Sequence, residues 1–337
     1  MRWRRSLGLL WFFGLSGLAG PGQVEAAPLT PDAILRARET LHYSGLIKVT
    51  TFSERGEKVR RLRVTQVGSR GTRQEFLDAQ GHLSDLVTVN GGVRWHYAPR
   101  QGKVTVSATE SEGSLSQRLA LVKRNYDFRV LGQLRHLQRL TLLAQFRPRQ
   151  HGNLTHRLWV DQLTRLPLVV ERRDEQGRLV DRSEFLSLRL NPVEAARALT
   201  FQLPAAVKVQ SQNTMLARGD AATPLPVGLT WRPPPPRQLP AGYALIQWQY
   251  FLDHRQVPTF AWRFHDGLAL LSCFATDARS QARRPAEGQP IRIGGHPGFA
   301  LQHGHKRLLS WQQGPTAYTL VGECPEAWLN QVAENTP

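Results

Sequence analysis

From Leu46 to Arg189 the chain alternates apolar and polar residues with a period of two, broken at short intervals by turn residues. That pattern belongs to antiparallel strands with one buried face. Residues 46–52 and 59–67 flank the turn Glu54-Arg55-Gly56-Glu57, and residues 72–77 run into a turn at Gly81. Residues 86–89 and 93–97 flank Asn90-Gly91-Gly92, a strong hairpin signal. Residues 103–106, 126–131 and 140–146 continue the meander, and three more strands fall between His156 and Leu190. About ten strands in one layer make a sheet that curls and needs covering helices.

Two stretches depart from this period. Thr30 can cap a helix that begins at Pro31 and carries Ile34, Leu35, Ala37 and Leu41. Ser114 can cap a second, with Leu115, Leu119, Leu121 and Val122 on its apolar side. The expected fold class is α+β, mostly β, with a curved antiparallel sheet or half-open barrel and covering helices over residues 28–200. Residues 201–240 lack periodicity and hold the run Pro233-Pro234-Pro235-Pro236, which is stiff and cannot enter a sheet interior. They read as a linker, or as an extended strap laid on a neighbouring surface. Residues 241–335 then form a smaller antiparallel sheet, with strands at 243–251, 257–264, 268–275, 291–293, 298–302, 306–311 and 317–321. A terminal helix is expected at 325–332.

Arg2, Arg4 and Arg5 precede the apolar run 7–18, and Val24-Glu25-Ala26 offers a cleavage site, so residues 1–26 read as an export signal. The chain carries 44 basic and 26 acidic residues, a net charge of +18. That excess favours anionic partners, although the basic residues are spread out and export argues against nucleic acid. The two cysteines, Cys273 and Cys324, read as one disulfide in an oxidising compartment. Closing a loop of about 50 residues would stabilise by roughly 4 kcal/mol.

Chemistry is sparse. No nucleophile elbow, zinc-protease motif, P-loop or paired-cysteine motif occurs. His296, His303 and His305 cluster without a thiolate or carboxylate helper, which suits surface residues better than a metal site. Asp161, Asp174 and Glu175 sit where carboxylates hold turns. The expectation is a protein that is not an enzyme, with no cofactor and no metal. Shape carries the functional reading. Val87 and Val89 share one strand face, as do Val93, Trp95 and Tyr97. If that face is concave and Leu119 and Val122 stand over it as a lid, an apolar ligand cavity results. The alternative is a plain packed core.

Residues 156–190, HRLWVDQLTRLPLVVERRDEQGRLVDRSEFLSLRL, carry the order LW-x-D, LPL, DE-x-GR-L. This stretch resembles the N-terminal domain of the MucB/RseB family of periplasmic sigma-E regulators, a domain similar in turn to LolA-type lipoprotein carriers. HDGLALLSCFAT at 265–276 and YTLVGE-x-P at 318–325 resemble that family's C-terminal domain. The resemblance implies a periplasmic, non-catalytic regulator that binds the periplasmic segment of a membrane-anchored anti-sigma factor and senses envelope lipid or lipoprotein acyl chains. A lipoprotein or lipid carrier and an envelope-binding module are the alternatives.

Overall fold

The computed structural model describes residues 27–53, 56–109, 113–204, 207–211, 213–227, 229, 231–280, 288–303, 306–323 and 326–336. The export signal expected at 1–26, Cys324 and His305 lie outside them.

The first sheet is a long meander. Helix α1 (Pro31–Thr40) leads into β1 (His42–Ser53), β2 (Gly56–Val67), β3 (Gly71–Leu77), β4 (Leu83–Asn90), β5 (Val93–Ala98) and β6 (Lys103–Ala108). Helix α2 (Leu115–Asn125) interrupts the strands. Then come β7 (Tyr126–His136), β8 (Arg139–Pro148), β9 (Thr155–Asp161), β10 (Pro167–Arg173) and β11 (Leu179–Leu190), followed by a short α3 (Ala195–Ala198) and β12 (Lys208–Ser211). The spatial order is β12-β6-β5-β4-β3-β2-β1-β11-β10-β9-β8-β7, so β1 and β11 zip the two halves of the meander together. The sheet is open, with β12 and β7 at its edges.

Local chemistry sets both helix starts. Thr30 Oγ1 accepts the Ala33 N–H at 3.2 Å, with Pro31 in the first turn. Ser114 and Gln117 form a reciprocal capping box. The two helices lie on one end of one sheet face. There Leu29, Ile34, Leu35 and Val122 pack on Tyr126, Ala144, Phe146, Leu158 and Val160. Val64, Leu166, Leu168 and Phe185 continue this core toward the middle of the sheet.

The second sheet contains β13 (Asn213–Gly219), β14 (Ala244–Asp253), β15 (Pro258–His265), β16 (Leu270–Asp277), β17 (Gln289–Ile293), β18 (His296–His303), β19 (Lys306–Gln313) and β20 (Thr316–Gly322). Its order is β13-β14-β15-β16-β20-β19-β18-β17. Helix α4 (Glu326–Glu334) covers one face, where Leu329, Val332 and Ala333 join Trp248, Phe260, Trp262, Leu309, Trp311 and Tyr318. Cys273 is buried in the same cluster.

The segment expected to be a linker or strap holds more structure than its composition suggests. β12 adds to the first sheet parallel to β6, and β13 adds to the second beside β14. The remainder is a strap: Leu225, Leu229, Trp231 and Leu239 pack against the second core. Pro233 and Pro236 are buried while Pro234 and Pro235 are exposed, which matches the three-residue turn of a polyproline helix lying on a surface. The apolar residues between the prolines hold it there.

Two substitutions test this packing. Phe146→Ala, at the centre of the helix-covered cluster, should cost about 3–5 kcal/mol. Ser114→Ala, which removes one cap, should cost about 1 kcal/mol. Urea midpoints with unchanged slopes would report both.

Candidate functional site

The part of the first sheet that the helices leave uncovered forms a groove. Thr72, Gln74 and Phe76 of β3 lie opposite Val89, Val87 and Asp85 of β4, and Arg94 and His96 of β5 lie opposite Val89 and Val87. Residues directly opposite in an antiparallel pair share a face, so these side chains form one floor. With Arg60, Arg61, Leu77 and Ser84 they enclose about 700 Å³. The imidazole Nε2 of His96 lies 2.9 Å from Asp85 Oδ1 within it.

A second compartment of about 510 Å³ adjoins the first through Val89 and Arg94. Its other wall belongs to the second sheet and includes Gln249, Phe251, Asp253, Arg263, Leu270 and Phe274. Arg263 is buried; it donates to Ser272 Oγ at 2.7 Å and its guanidinium lies 5.4 Å from the Phe274 ring centre. The two compartments therefore make one groove with walls from both lobes. Apolar Phe76, Val87, Val89, Phe251 and Phe274 alternate with arginines along it. A ligand with an apolar body and negative or hydrogen-bonding groups would satisfy both kinds of wall.

What holds the walls apart is a buried polar seam. Asp266, in the turn between β15 and β16, accepts the Tyr126 hydroxyl at 2.6 Å and the backbone N–H groups of Leu268 and Ala269 at 2.8 and 2.7 Å. Asn125 Nδ2 donates to the carbonyls of Gly242 and Asp266, both at 2.7 Å. Burial raises the pKa of the Asp266 carboxyl, and burial together with the neighbouring Asp266 charge raises that of Tyr126. Arg172 bridges the lobes as well, gripping Asp181 on its own sheet and Glu323 on the other. Gly267 has φ +114°, and a Cβ there would meet the Val122 N at 2.6 Å. Only glycine lets this turn press against α2.

The same seam buries two imidazoles. Burial, with the Arg172 charge nearby, lowers the pKa of His156 to about 3. Burial, with Arg118 nearby, lowers that of His265 to about 4. His265 Nδ1 accepts the Gly267 N–H at 2.8 Å, which requires that nitrogen to be unprotonated.

The sequence-derived cavity residues do not all meet. Val87 and Val89 lie on the groove floor. Val93, Trp95 and Tyr97 lie on the opposite face, where Trp95 stacks on Phe201 at 5.2 Å and Tyr97 meets its edge at 6.4 Å. The two-residue turn Gly91-Gly92 pairs Asn90 with Val93, so every odd residue of β4 faces an even residue of β5. Leu119 and Val122 are not lid residues. Both pack with the helix-covered core, and Val122 is only 1% exposed. The covered end of the sheet is filled, and the hollow lies beside it. Arg60, Gln74, Phe76, Arg94 and the wall of the second sheet were missed. The Gly81 turn and its loop length carried the only local signal for pairing β3 with β4.

Comparison with known proteins places this geometry. The model of the MucB/RseB N-terminal domain matches residues 32–213. Among solved structures, the Pseudomonas aeruginosa MucA/MucB complex is 20% identical, covers 90% of this chain and 95% of that chain, and superposes with a TM-score of 0.58. MucB in complex with MucA(peri) is 20% identical, covers 90% and 96%, and gives 0.57. MucB alone is 18% identical, covers 90% and 94%, and gives 0.53. These identities show a shared fold. A search of the curated proteins gives no match.

The buried imidazoles make the fold acid-sensitive. Both are depressed below the ordinary value of 6.5, so the folded chain binds fewer protons than the unfolded one between about pH 6.5 and 4. Their stabilisation is complete above that window and falls away as pH drops through it. The raised Asp266 has the opposite sign, binding protons in the fold that the unfolded carboxyl releases above its ordinary 3.8. Urea midpoints should therefore fall between pH 7 and 4.5, and a His156→Gln/His265→Gln double variant should show a flatter profile. Tyr126→Phe should lose about 1–3 kcal/mol by leaving the buried carboxyl short of a donor.

With its family model spanning more than half the sequence and both lobes sharing the fold of solved MucB, the chain belongs to the MucB/RseB family.

Proposed function

We propose that this chain is a non-catalytic periplasmic regulator that binds the periplasmic segment of a membrane-anchored anti-sigma factor in the groove between its two sheets. Family membership supports the class of partner, and the solved complexes of MucB with MucA support a periplasmic segment as the ligand. The observation that carries the site is that both lobes supply walls to one groove. A segment lying there touches both sheets at once, so its binding depends on how the lobes are set. Conversely, a second ligand that favours a different setting weakens the segment's grip, as linkage requires.

Such a second ligand is an acyl chain of envelope lipid or of a lipoprotein. Phe76, Val87 and Val89 supply the apolar floor for it, and Arg60, Arg61 and Arg94 the positive rim. The mechanism needs no bond chemistry: the segment is sheltered while it is bound and exposed when the lobes are reset and it is released. A pure carrier role uses the same groove without the regulatory partner.

Titration with the periplasmic segment of the MucA-type protein from the same organism tests the reading. Wild type should bind, and Phe76→Arg and Val89→Arg should weaken binding tenfold or more without moving the melting temperature. Absence of binding by the wild type would overturn the regulatory role. Recovery of acylated lipoproteins alone from the native envelope would favour the carrier. Mass spectrometry under non-denaturing conditions reads a co-purified lipid directly.

A further inference from the structure

The β1–β2 hairpin outruns the strands on either side of it. Pairing of β1 with β11 ends at Thr51–Asp181, and pairing of β2 with β3 ends at Arg61–Leu77. Beyond those points β1 and β2 pair only with each other through Phe52–Glu57 and Ser53–Gly56, and Lys58, Val59 and Arg60 pair with β1 alone. The result is a hairpin end, the β1–β2 ribbon, whose second strand has no neighbour on its outer side from Gly56 to Arg60 among the described residues. Its second strand reads Lys58-Val59-Arg60-Arg61-Leu62-Arg63, and every residue of it except Leu62 is exposed.

Many basic groups on the sheet are paired. Several arginines along β8 to β11 are matched by carboxylates. Arg139 meets Asp161, Arg172 meets Asp181, and Arg173 and Arg182 share Glu171. Arg182 and Lys48 also share Glu184. The side chains of Lys58 and Arg61 have no ion pair or hydrogen bond among the described residues. Val59 is 49% exposed between them, and half-buried Phe52 lies on the same ribbon face as Val59. Glu57 is the one acidic residue among the described positions of the ribbon. A strand end that sets Lys58 and Arg61 beside exposed Val59 and half-buried Phe52 fits a bilayer interface: cations meet lipid phosphates while the apolar side chains enter the headgroup layer.

We propose that the β1–β2 ribbon docks the protein on an anionic bilayer surface. Arg60 and Arg61 also line the groove, so docking sets the groove mouth against the membrane from which a lipid or a membrane-anchored partner reaches it. The assay contains no protein partner, so its result leaves the regulatory reading separately testable.

The experiment is co-sedimentation of the full chain with vesicles of phosphatidylcholine alone and with about a third phosphatidylglycerol. Neutral vesicles report any contribution of the apolar N-terminal run, which is the same in every variant. Wild type should prefer the anionic vesicles, and raised salt should reduce the preference. Lys58→Gln with Arg61→Gln should reduce it by about fivefold for each charge removed. Arg129→Gln with Arg135→Gln, an equal charge loss on exposed β7, should leave it nearly unchanged. Circular dichroism melting establishes that the variants are folded. No anionic preference in wild type, or equal losses in the two double variants, would overturn the proposal; the second result assigns the effect to net charge.

Discussion

The carboxylate of Asp266 fixes the molecule's internal geometry. It is fully buried and accepts from a tyrosine of the first sheet and from two backbone amides of its own turn. A buried charge without donors is very costly, so this arrangement tolerates little displacement. Asn125 reinforces it by bonding two carbonyls of the other lobe. The seam sits at the β15–β16 turn, and the groove opens on the neighbouring part of both sheets. The groove's width therefore follows from bonds that none of its own lining residues makes.

The division of labour across the first sheet follows from where the helices land. α1 and α2 fill one end of one sheet face with Ile34, Leu35 and Val122, leaving no space over Ala144 or Phe146. The other end, over β2 to β5, carries no helix on this face among the described residues and keeps its hollow. Packing and binding thus share one continuous surface. The opposite face of β9 to β11 carries a ladder of matched charges, with Arg182 laid over Trp159 at 5.2 Å. It is the half-wet face of a large antiparallel sheet.

Period-two patterning made the strands and both sheets legible, and the caps at Thr30 and Ser114 made the first two helices so. Faces were harder. Val87 and Trp95 each belong to an apolar set, yet the parity of one two-residue turn places them on opposite sides of the sheet. Alternation within a strand says nothing about the strand beside it until the loop length is counted. Leu119 and Val122 were legible as apolar but not as core, because a helix pressed down and a helix standing off have the same sequence period. The wall from the second sheet was out of reach, since Phe251 and Phe274 are more than 150 residues along the chain from Val89 and Arg94. The Pro-rich segment left two readings open, a linker or a strap, because composition alone does not say what it rests on. Trp231 lies 5.9 Å from Phe260, ring centre to ring centre, and helps to hold the prolines on the second core as a strap.

The passage from β12 to β13 has a mechanical consequence. One strand ends at Ser211 on the first sheet and the next begins at Asn213 on the second. With so little chain to spare, large swings of one half against the other cannot be absorbed by slack. They must peel β12 from β6 or β13 from β14, one ladder bond after another. Wide opening is then a stepwise unzipping with a threshold, so a weak pull leaves the two halves together and a strong one separates them abruptly.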